Sequence, residues 1–177
     1  MPGSRESRVS NDRRVTVTSL MHLSCAMSSP FLDAAAAFFA DFSKNAAPAR
    51  MLTYFSIAHP IEIHHAPALL PDGRLPYLSR LTGPNAVRSY FDLISTHFTR
   101  APIVINHIEA DASKSSVTAD TTIIWTWRKS RRRWQEDLIC TLRYDEAFQI
   151  ISLTLETISE PETCVLNAVD VDTTKDD

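Results

Sequence analysis

Glycine, cysteine and long apolar runs are all scarce in this chain of 177 residues. The three glycines are far apart and form no glycine-rich loop of the kind that binds phosphate. The three cysteines, Cys25, Cys140 and Cys164, include no CxxC pair, which is typical neither of a disulfide framework nor of a structural zinc site. No run approaches the roughly 18 apolar residues that a membrane span needs. These absences argue against a phosphate-loop enzyme, a disulfide scaffold and a membrane-spanning protein.

Charge and catalytic motifs narrow the function further. Lys and Arg number 18 and Asp and Glu 21, so the net charge is −3, which argues against nucleic acid as a partner. The motifs HExxH, HxxxH and GxSxG are absent, which excludes the metalloproteases and serine hydrolases that carry them. We therefore predict no cofactor and no metal. Reduced thiols predict a cytoplasmic location, with mitochondrial targeting by the Arg- and Ser-rich start as the alternative.

The sequence predicts one domain between two tails. Residues 1–29 show neither helical nor strand periodicity and are predicted to be a disordered extension. Residues 161–177 are rich in acidic and small polar side chains and are predicted to be a flexible tail. The domain is expected at residues 30–160, and hydrophobic residues, 44% of the chain, are enough for a core.

Three helices are predicted from apolar spacing. Ser29-Pro30 precedes apolar residues at helical intervals, which predicts a helix over residues 30–44. A second, short helix is expected over 48–56. Gly83-Pro84 opens the clearest helix of the chain, which continues to about residue 98 with one apolar stripe.

Strands account for most of the rest. A short strand is predicted at residues 61–66, a brief one at 77–81, and four longer ones follow the third helix at 103–111, 116–129, 133–144 and 148–158. Short connections make successive strands antiparallel neighbours. The order predicts an α+β domain in which the helices lie on one face of a curved, mostly antiparallel sheet.

The stretch LTGPNAVRSYFDLISTHFTR at residues 81–100, with this order of elements, resembles the nuclear transport factor 2-like superfamily, in its SnoaL-like small-molecule-pocket branch. The sequence looks closest to fungal members of that branch, over about residues 30–160. The resemblance implies a cone-shaped α+β barrel, a conical pocket between the sheet and three helices, and a homodimer formed through the outer sheet face. The resemblance assigns no catalytic residue to a position of this sequence, because the enzymes of this superfamily do not share one catalytic pattern.

Two histidines are the candidate acid–base residues. His64 and His65 are adjacent on a strand, so only one can face the pocket. His64 is favoured because Glu62, on the same face, could orient it, but the sequence leaves the choice open. His107, in the third predicted strand, is the second candidate. Asp120 and Asp137 lie in mid-strand, where carboxylates are uncommon, and a surface position is the simpler explanation for both.

Four aromatic residues with a polar atom are the candidate ligand-binding residues: Tyr54, Tyr90, Trp125 and Trp127. The two tryptophans share a strand face, which is a pocket wall, a dimer interface or plain core. Five cations within residues 128–133 form a basic turn, most simply a solvated hairpin tip.

Together these features predict a protein that binds a small apolar molecule. Acid–base chemistry by His64 and His107 would make it a cofactor-independent isomerase, cyclase or dehydratase. The alternative is a non-catalytic dimeric binding or adaptor module of the same fold, which uses the pocket or the outer sheet face.

Overall fold

A computed structural model of the protein describes residues 29–67 and 79–168. The predicted N-terminal extension lies outside the described residues except for Ser29, and so do residues 169–177 of the predicted tail. Within the described residues no helix is long and apolar enough to cross a membrane.

The three predicted helices are present. They are α1 (Pro30–Ser43), α2 (Pro48–Leu52) and α3 (Pro84–His97). Helix α2 ends four residues earlier than predicted because the chain turns towards the sheet: the amide of Ser56 donates to the carbonyl of Ile150, and the amide of Ile150 donates to the carbonyl of Tyr54. Pairing with a strand therefore replaces the expected last helical turn.

Among the described residues, seven strands form one sheet. They are β1 (Glu62–Pro67), β2 (Ser79–Thr82), β3 (Phe98–Arg100), β4 (Val104–Asp111), β5 (Ser116–Trp127), β6 (Arg133–Tyr144) and β7 (Ile150–Thr157). The order is β2-β1-β7-β6-β5-β3, and β4 pairs with the same edge of β5 as β3 does. Of the pairs between these seven named strands, only β1–β7 is parallel. The predicted mostly antiparallel sheet is confirmed, and β3 is an addition that the sequence did not reveal.

The sheet curls around the helices, which gives the predicted α+β cone. The helices bury aromatic side chains against its inner face: Phe38, Phe39 and Phe42 from α1, and Tyr90 and Phe91 from α3. Along β5 and β6 alternate residues point into this core, as the period of two requires. The inner face is therefore apolar except for a few polar residues, which form the candidate site.

Gly83 sets the start of α3. Its φ of 85° lies in the region that favours glycine, and its amide donates to the carbonyl of Ile61 at 2.8 Å. This bond ties the first turn of α3 to the beginning of β1. Helix α3 and strand β1 are thus fixed relative to each other, and these two elements carry two of the site residues.

The packed region continues past the predicted boundary at residue 160. Residues 161–168, called the C-terminal segment below, begin with a 3₁₀ turn (Pro161–Thr163), and Cys164 and Val165 are buried behind it. The indole N–H of Trp134 donates to the carbonyl of Thr163 at 2.8 Å. The described part of the predicted flexible tail is therefore part of the domain, because two apolar side chains within an acidic stretch find places in the core.

Candidate functional site

The inner face of β1 presents His65 and leaves His64 outside. His65 shares its face with Ile61 and Ile63, and all three are buried against the helices. The opposite face carries Glu62, which accepts a hydrogen bond from Arg80 at 2.7 Å and one from the Ser152 hydroxyl at 3.1 Å. The polar residues of this strand therefore pair on the outer face, and the histidine that the sequence favoured, His64, is on that face too.

His65 bridges helix α3 and strand β6. Its Nδ1 lies 3.0 Å from the Tyr90 hydroxyl, and its Nε2 lies 3.2 Å from Oε1 of Glu136. All three side chains are almost completely buried. A histidine that contacts a carboxylate through one nitrogen and a hydroxyl through the other has the arrangement of a proton relay.

Glu136 is held by further donors. The indole N–H of Trp125 donates to Oε2 at 2.6 Å, and the Thr157 hydroxyl donates to Oε1 at 2.6 Å. The backbone amide of Val165 donates to Oε1 at 3.3 Å. Since a carboxylate can accept about four hydrogen bonds, this buried acid is well satisfied and rigidly oriented.

A cavity of about 490 Å³ lies beside this relay. His65 and Tyr90 form part of its wall, and the remaining described lining is Pro67, Leu81, Ser89, Leu93, Leu166 and Asn167. Leu93, which is 44% exposed, contributes apolar surface to this cavity. The size and mostly apolar lining are those of a pocket for a small organic molecule.

The burial of these groups changes their ionisation. Burial disfavours the charged form of His65, but Tyr90, Cys164 and Glu136 outweigh it and hold the pKa of His65 well above its usual value. Burial raises the pKa of Tyr90. The buried partners therefore favour the charged form of His65, and Tyr90 holds its proton more tightly than a free tyrosine, so the two side chains can share protons at the cavity wall.

Neither of the two predicted acid–base histidines is among the described residues that line this cavity. His64 is half-buried, and its Nε2 is enclosed without a hydrogen-bond partner among the described residues. The His107 side chain is 70% exposed, with its Nε2 3.7 Å from Glu109. The structure does not bring His64 and His107 together. A catalytic role for either histidine stays a prediction, and its position outside the described cavity lining does not favour that role.

The predicted ligand-binding aromatics are in three different settings. Tyr90 is on the cavity wall, and Trp125 is fully buried behind it, with its N–H on Glu136. Trp127 is half-buried and packs on Phe98, with ring centroids 4.4 Å apart. Tyr54 lies elsewhere, where its hydroxyl donates to Asp41 at 2.6 Å. Direct contact with a ligand stays a prediction for all four.

Glu136, Thr157 and Cys164 were missed by the sequence reasoning. Glu136 and Asp137 lie on opposite faces of β6. Glu136 faces inwards, whereas Asp137 faces outwards and accepts a hydrogen bond from the Thr122 hydroxyl. The available signal was a glutamate on the inward face of β6, whose other buried inward positions are Leu138, Cys140, Leu142 and Tyr144. Its partners come from distant parts of the chain, so only the fold reveals the cluster.

Comparison with known proteins identifies the fold. No family model and no curated protein matches the sequence. Among solved structures, the epoxide hydrolase/cyclase-like enzyme SalBIII, which has a role in pyran ring formation in the polyether salinomycin, is 18% identical, with a TM-score of 0.56 over 72% of this chain and 89% of that one.

Two more solved structures show the same fold. RV0760c from Mycobacterium tuberculosis, in complex with estradiol-17beta-hemisuccinate, is 15% identical, with a TM-score of 0.58 over 77% of this chain and 98% of that one. The BvnE pinacolase from Penicillium brevicompactum is 10% identical, with a TM-score of 0.55 over 73% and 86%. The chain therefore shares the fold of these three structures, and the cone-shaped α+β arrangement of a curved sheet around three helices that the sequence predicted is confirmed.

Proposed function

We propose that the protein binds a small apolar molecule in the cavity beside His65 and that Tyr90 acts there as a general acid, backed by His65 and Glu136. The observation that carries the proposal is the buried relay at the wall of the apolar cavity, with 3.0 Å from Tyr90 to His65 and 3.2 Å from His65 to Glu136. The reaction class that fits is an isomerisation, cyclisation or dehydration, which needs proton transfer at a positioned oxygen.

The proton path follows from the hydrogen bonds. When His65 is protonated, its Nε2–H donates to Glu136 and its Nδ1–H donates to the oxygen of Tyr90. The phenolic proton of Tyr90 is then directed away from His65. It can pass to a carbonyl, epoxide or hydroxyl oxygen of a bound molecule, while the Nδ1 proton of His65 replaces it. The relay is restored when product or water returns one proton to His65.

The structural neighbours support this substrate class. One is an epoxide hydrolase/cyclase-like enzyme, one is a pinacolase, and one is in complex with an estradiol ester. The first concerns pyran ring formation in a polyether and the third holds an estradiol ester, and a cavity of about 490 Å³ has room for a small molecule with oxygen functions. A homodimer formed through the outer sheet face remains part of the proposal, and light scattering after size-exclusion chromatography tests it.

The first experiment uses 17β-estradiol as the probe and isothermal calorimetry as the readout. We expect saturable binding that the Tyr90→Phe change weakens about 5- to 10-fold, the usual effect of one lost hydrogen bond. Tyr54→Phe is the matched control, because it removes the same hydroxyl at a residue outside the described cavity lining. No saturable binding, or equal losses in both variants, would overturn the cavity as the binding site.

Catalysis is tested separately with a panel of apolar epoxy-alcohols and β-hydroxy-ketones. Their cyclisation or dehydration involves no redox step and is followed by mass spectrometry and chromatography. Turnover by the wild type that Tyr90→Phe reduces about 100-fold or more supports the general acid. The second candidate function is a binding module without catalysis, which the internal satisfaction of the Glu136 carboxylate favours. Probe binding without any turnover across the panel would support it.

A further inference from the structure

Three potential metal ligands meet behind the cavity wall. One ligand atom each of His65, Glu136 and Cys164 lies within 4.8 Å of the other two, and all three residues are buried. They come from β1, from β6 and from the C-terminal segment, which are far apart in the sequence. A thiol, an imidazole and a carboxylate are the three side-chain ligand types that zinc takes in proteins.

The spacing of the ligand atoms suits a tetrahedral ion. With Zn–N and Zn–O bonds of about 2.0–2.1 Å, two ligands on a tetrahedral zinc are about 3.3 Å apart. The distance from His65 Nε2 to Glu136 Oε1 is 3.2 Å. These two side chains are therefore already at the separation that a shared ion requires, and Cys164 is near enough to complete a three-residue site.

Two of the three ligands, His65 and Glu136, also have hydrogen-bond partners that would hold them in place. The Tyr90 hydroxyl contacts Nδ1 of His65, which leaves Nε2 as the nitrogen that faces the cluster. The Trp125 N–H and the Thr157 hydroxyl, both at 2.6 Å, orient the Glu136 carboxylate. Such outer hydrogen bonds fix the tautomer and the direction of the ligands in metal sites.

The ion would displace only the weakest contacts. Of the hydrogen bonds to Glu136, those from His65 at 3.2 Å and from the Val165 amide at 3.3 Å are the longest. A divalent ion with one thiolate and one carboxylate is electrically neutral, so this buried group would carry no net charge. Cys164 is not among the described residues that line the cavity, which argues for a ligand rather than a nucleophile that attacks a bound molecule.

We propose that His65, Glu136 and Cys164 bind one divalent transition-metal ion, with Zn²⁺ as the best fit, and that this ion fastens the C-terminal segment to the sheet. Binding releases the thiol proton of Cys164 and the Nε2 proton of His65 to solvent. With the ion on Nε2, His65 cannot also donate an Nε2–H to Glu136, so the proton path described above belongs to the metal-free chain, while Nδ1 keeps its contact with Tyr90. The ion thus holds the part of the cavity wall that Leu166 and Asn167 form, and its binding does not depend on the function proposed above.

The test begins with the full-length chain, freed of metal by a chelator and dialysed against Zn²⁺. We expect one zinc per chain by elemental mass spectrometry and a higher midpoint of thermal unfolding that increases with the Zn²⁺ concentration. Co²⁺ is the spectroscopic probe: a thiolate ligand gives a near-ultraviolet charge-transfer band, and tetrahedral geometry gives intense visible bands.

Cys164→Ser and Cys140→Ser are the matched pair of variants. Both replace a buried cysteine, but Cys140 lies on β6 outside the three-residue cluster. We expect Cys164→Ser to abolish the charge-transfer band and to weaken Zn²⁺ binding more than about 100-fold, and Cys140→Ser to retain both. Tyr90→Phe, which removes only an outer partner, is expected to weaken binding about 10-fold.

Two results would overturn the metal site. One is a wild-type chain that takes up less than one zinc at millimolar Zn²⁺ or whose Co²⁺ complex lacks the thiolate band. The other is a Cys164→Ser variant that binds as tightly as the wild type. If both cysteine variants unfold, the zinc stoichiometry and the Co²⁺ thiolate band of the wild type decide the matter. Estradiol binding by the metal-free chain is measured in parallel, so a failure of the pocket and a failure of the metal site are distinguishable.

Discussion

The indole N–H of Trp125 donates to Glu136 Oε2 at 2.6 Å, and both side chains are sealed from solvent. The pair is possible because Trp125 is opposite Trp134 in the β5–β6 ladder, which makes Glu136 a diagonal neighbour on the inner face. A tryptophan that buries its ring needs a partner for its N–H, and a buried carboxylate needs donors. Each side chain therefore supplies the hydrogen-bond partner that the other needs when it is buried.

The change Glu136→Gln tests how much this arrangement contributes to stability. It removes the charge that faces His65 and turns one acceptor oxygen into a donor that would face the Trp125 N–H or the Thr157 hydroxyl. We expect the free energy of unfolding to fall by about 3 kcal/mol, within the range for breaking a buried charged pair. Urea denaturation followed by circular dichroism measures it. Glu109→Gln, at a side chain 69% exposed, is the control and is expected to stay within about 0.5 kcal/mol of the wild type.

The pH dependence of stability reports the protonation of His65. Its pKa is raised in the folded state, so its contribution to stability is fully present below about pH 6.5, the unfolded value, and is lost as the pH rises through the folded value. In the metal-free wild type we expect the free energy of unfolding to decline from pH 6.5 upwards, and we expect this decline to be absent in metal-free His65→Gln. His107→Gln is the control. A decline of equal slope in His65→Gln would show that another group causes it.

Arg100 stabilises the end of helix α1. Its Nε–H donates to the carbonyl of Phe42 at 2.6 Å, and its guanidinium lies 3.9 Å from the centre of the Phe42 ring. Burial lowers the pKa of Arg100 to about 10. A lysine keeps the positive charge but has neither the Nε–H nor a planar group to stack on the ring.

We therefore expect Arg100→Lys to lower the free energy of unfolding by about 2 kcal/mol, which corresponds to one buried hydrogen bond of a charged group. Arg132→Lys makes the same substitution in the exposed basic turn and is expected to change little. Urea denaturation measures both. Equal stability of the two variants would mean that the contacts of Arg100 with Phe42 contribute nothing net.

The sequence predicted the regular elements because each has a clear period. Helix α3 was found from one apolar stripe after Gly83-Pro84, and β5 and β6 from alternation over 12 residues each. The three-residue strand β3 was not found, since Phe98–Arg100 directly follows α3 and is too short to show a period. Its place beside β5 is a result of tertiary pairing alone.

The site was harder to predict because it depends on which strand face is covered. For β1 the alternation of His64 and His65 was visible, but both faces carry apolar or paired groups, so the pattern could not decide between them. Glu136 and Cys164 reach His65 only through the fold, from 71 and 99 residues further along the chain. Spacing rules that look for nearby ligands or motifs could not find such a cluster.

The C-terminal segment offers the clearest test of the domain boundary. A chain that ends at Ala168 keeps every described contact of the segment, whereas a chain that ends at Glu160 loses the buried Cys164 and Val165 and the Val165 amide on Glu136. We expect the longer truncation product to unfold at the same urea concentration as the full chain. The shorter one should be less stable by about 3 kcal/mol, since burial of one valine-sized side chain alone contributes roughly 1.5–3 kcal/mol.

Tryptophan fluorescence gives a second readout for the same pair of chains. Trp134 donates its N–H to the carbonyl of Thr163, so its indole becomes exposed when the segment is removed. We expect emission from the chain that ends at Glu160 to shift to longer wavelength and to be quenched more strongly by iodide, while the chain that ends at Ala168 matches the full-length protein. Identical spectra and stabilities for the two truncated chains would return the domain boundary to residue 160, because the segment would then contribute neither packing nor cover to the sheet.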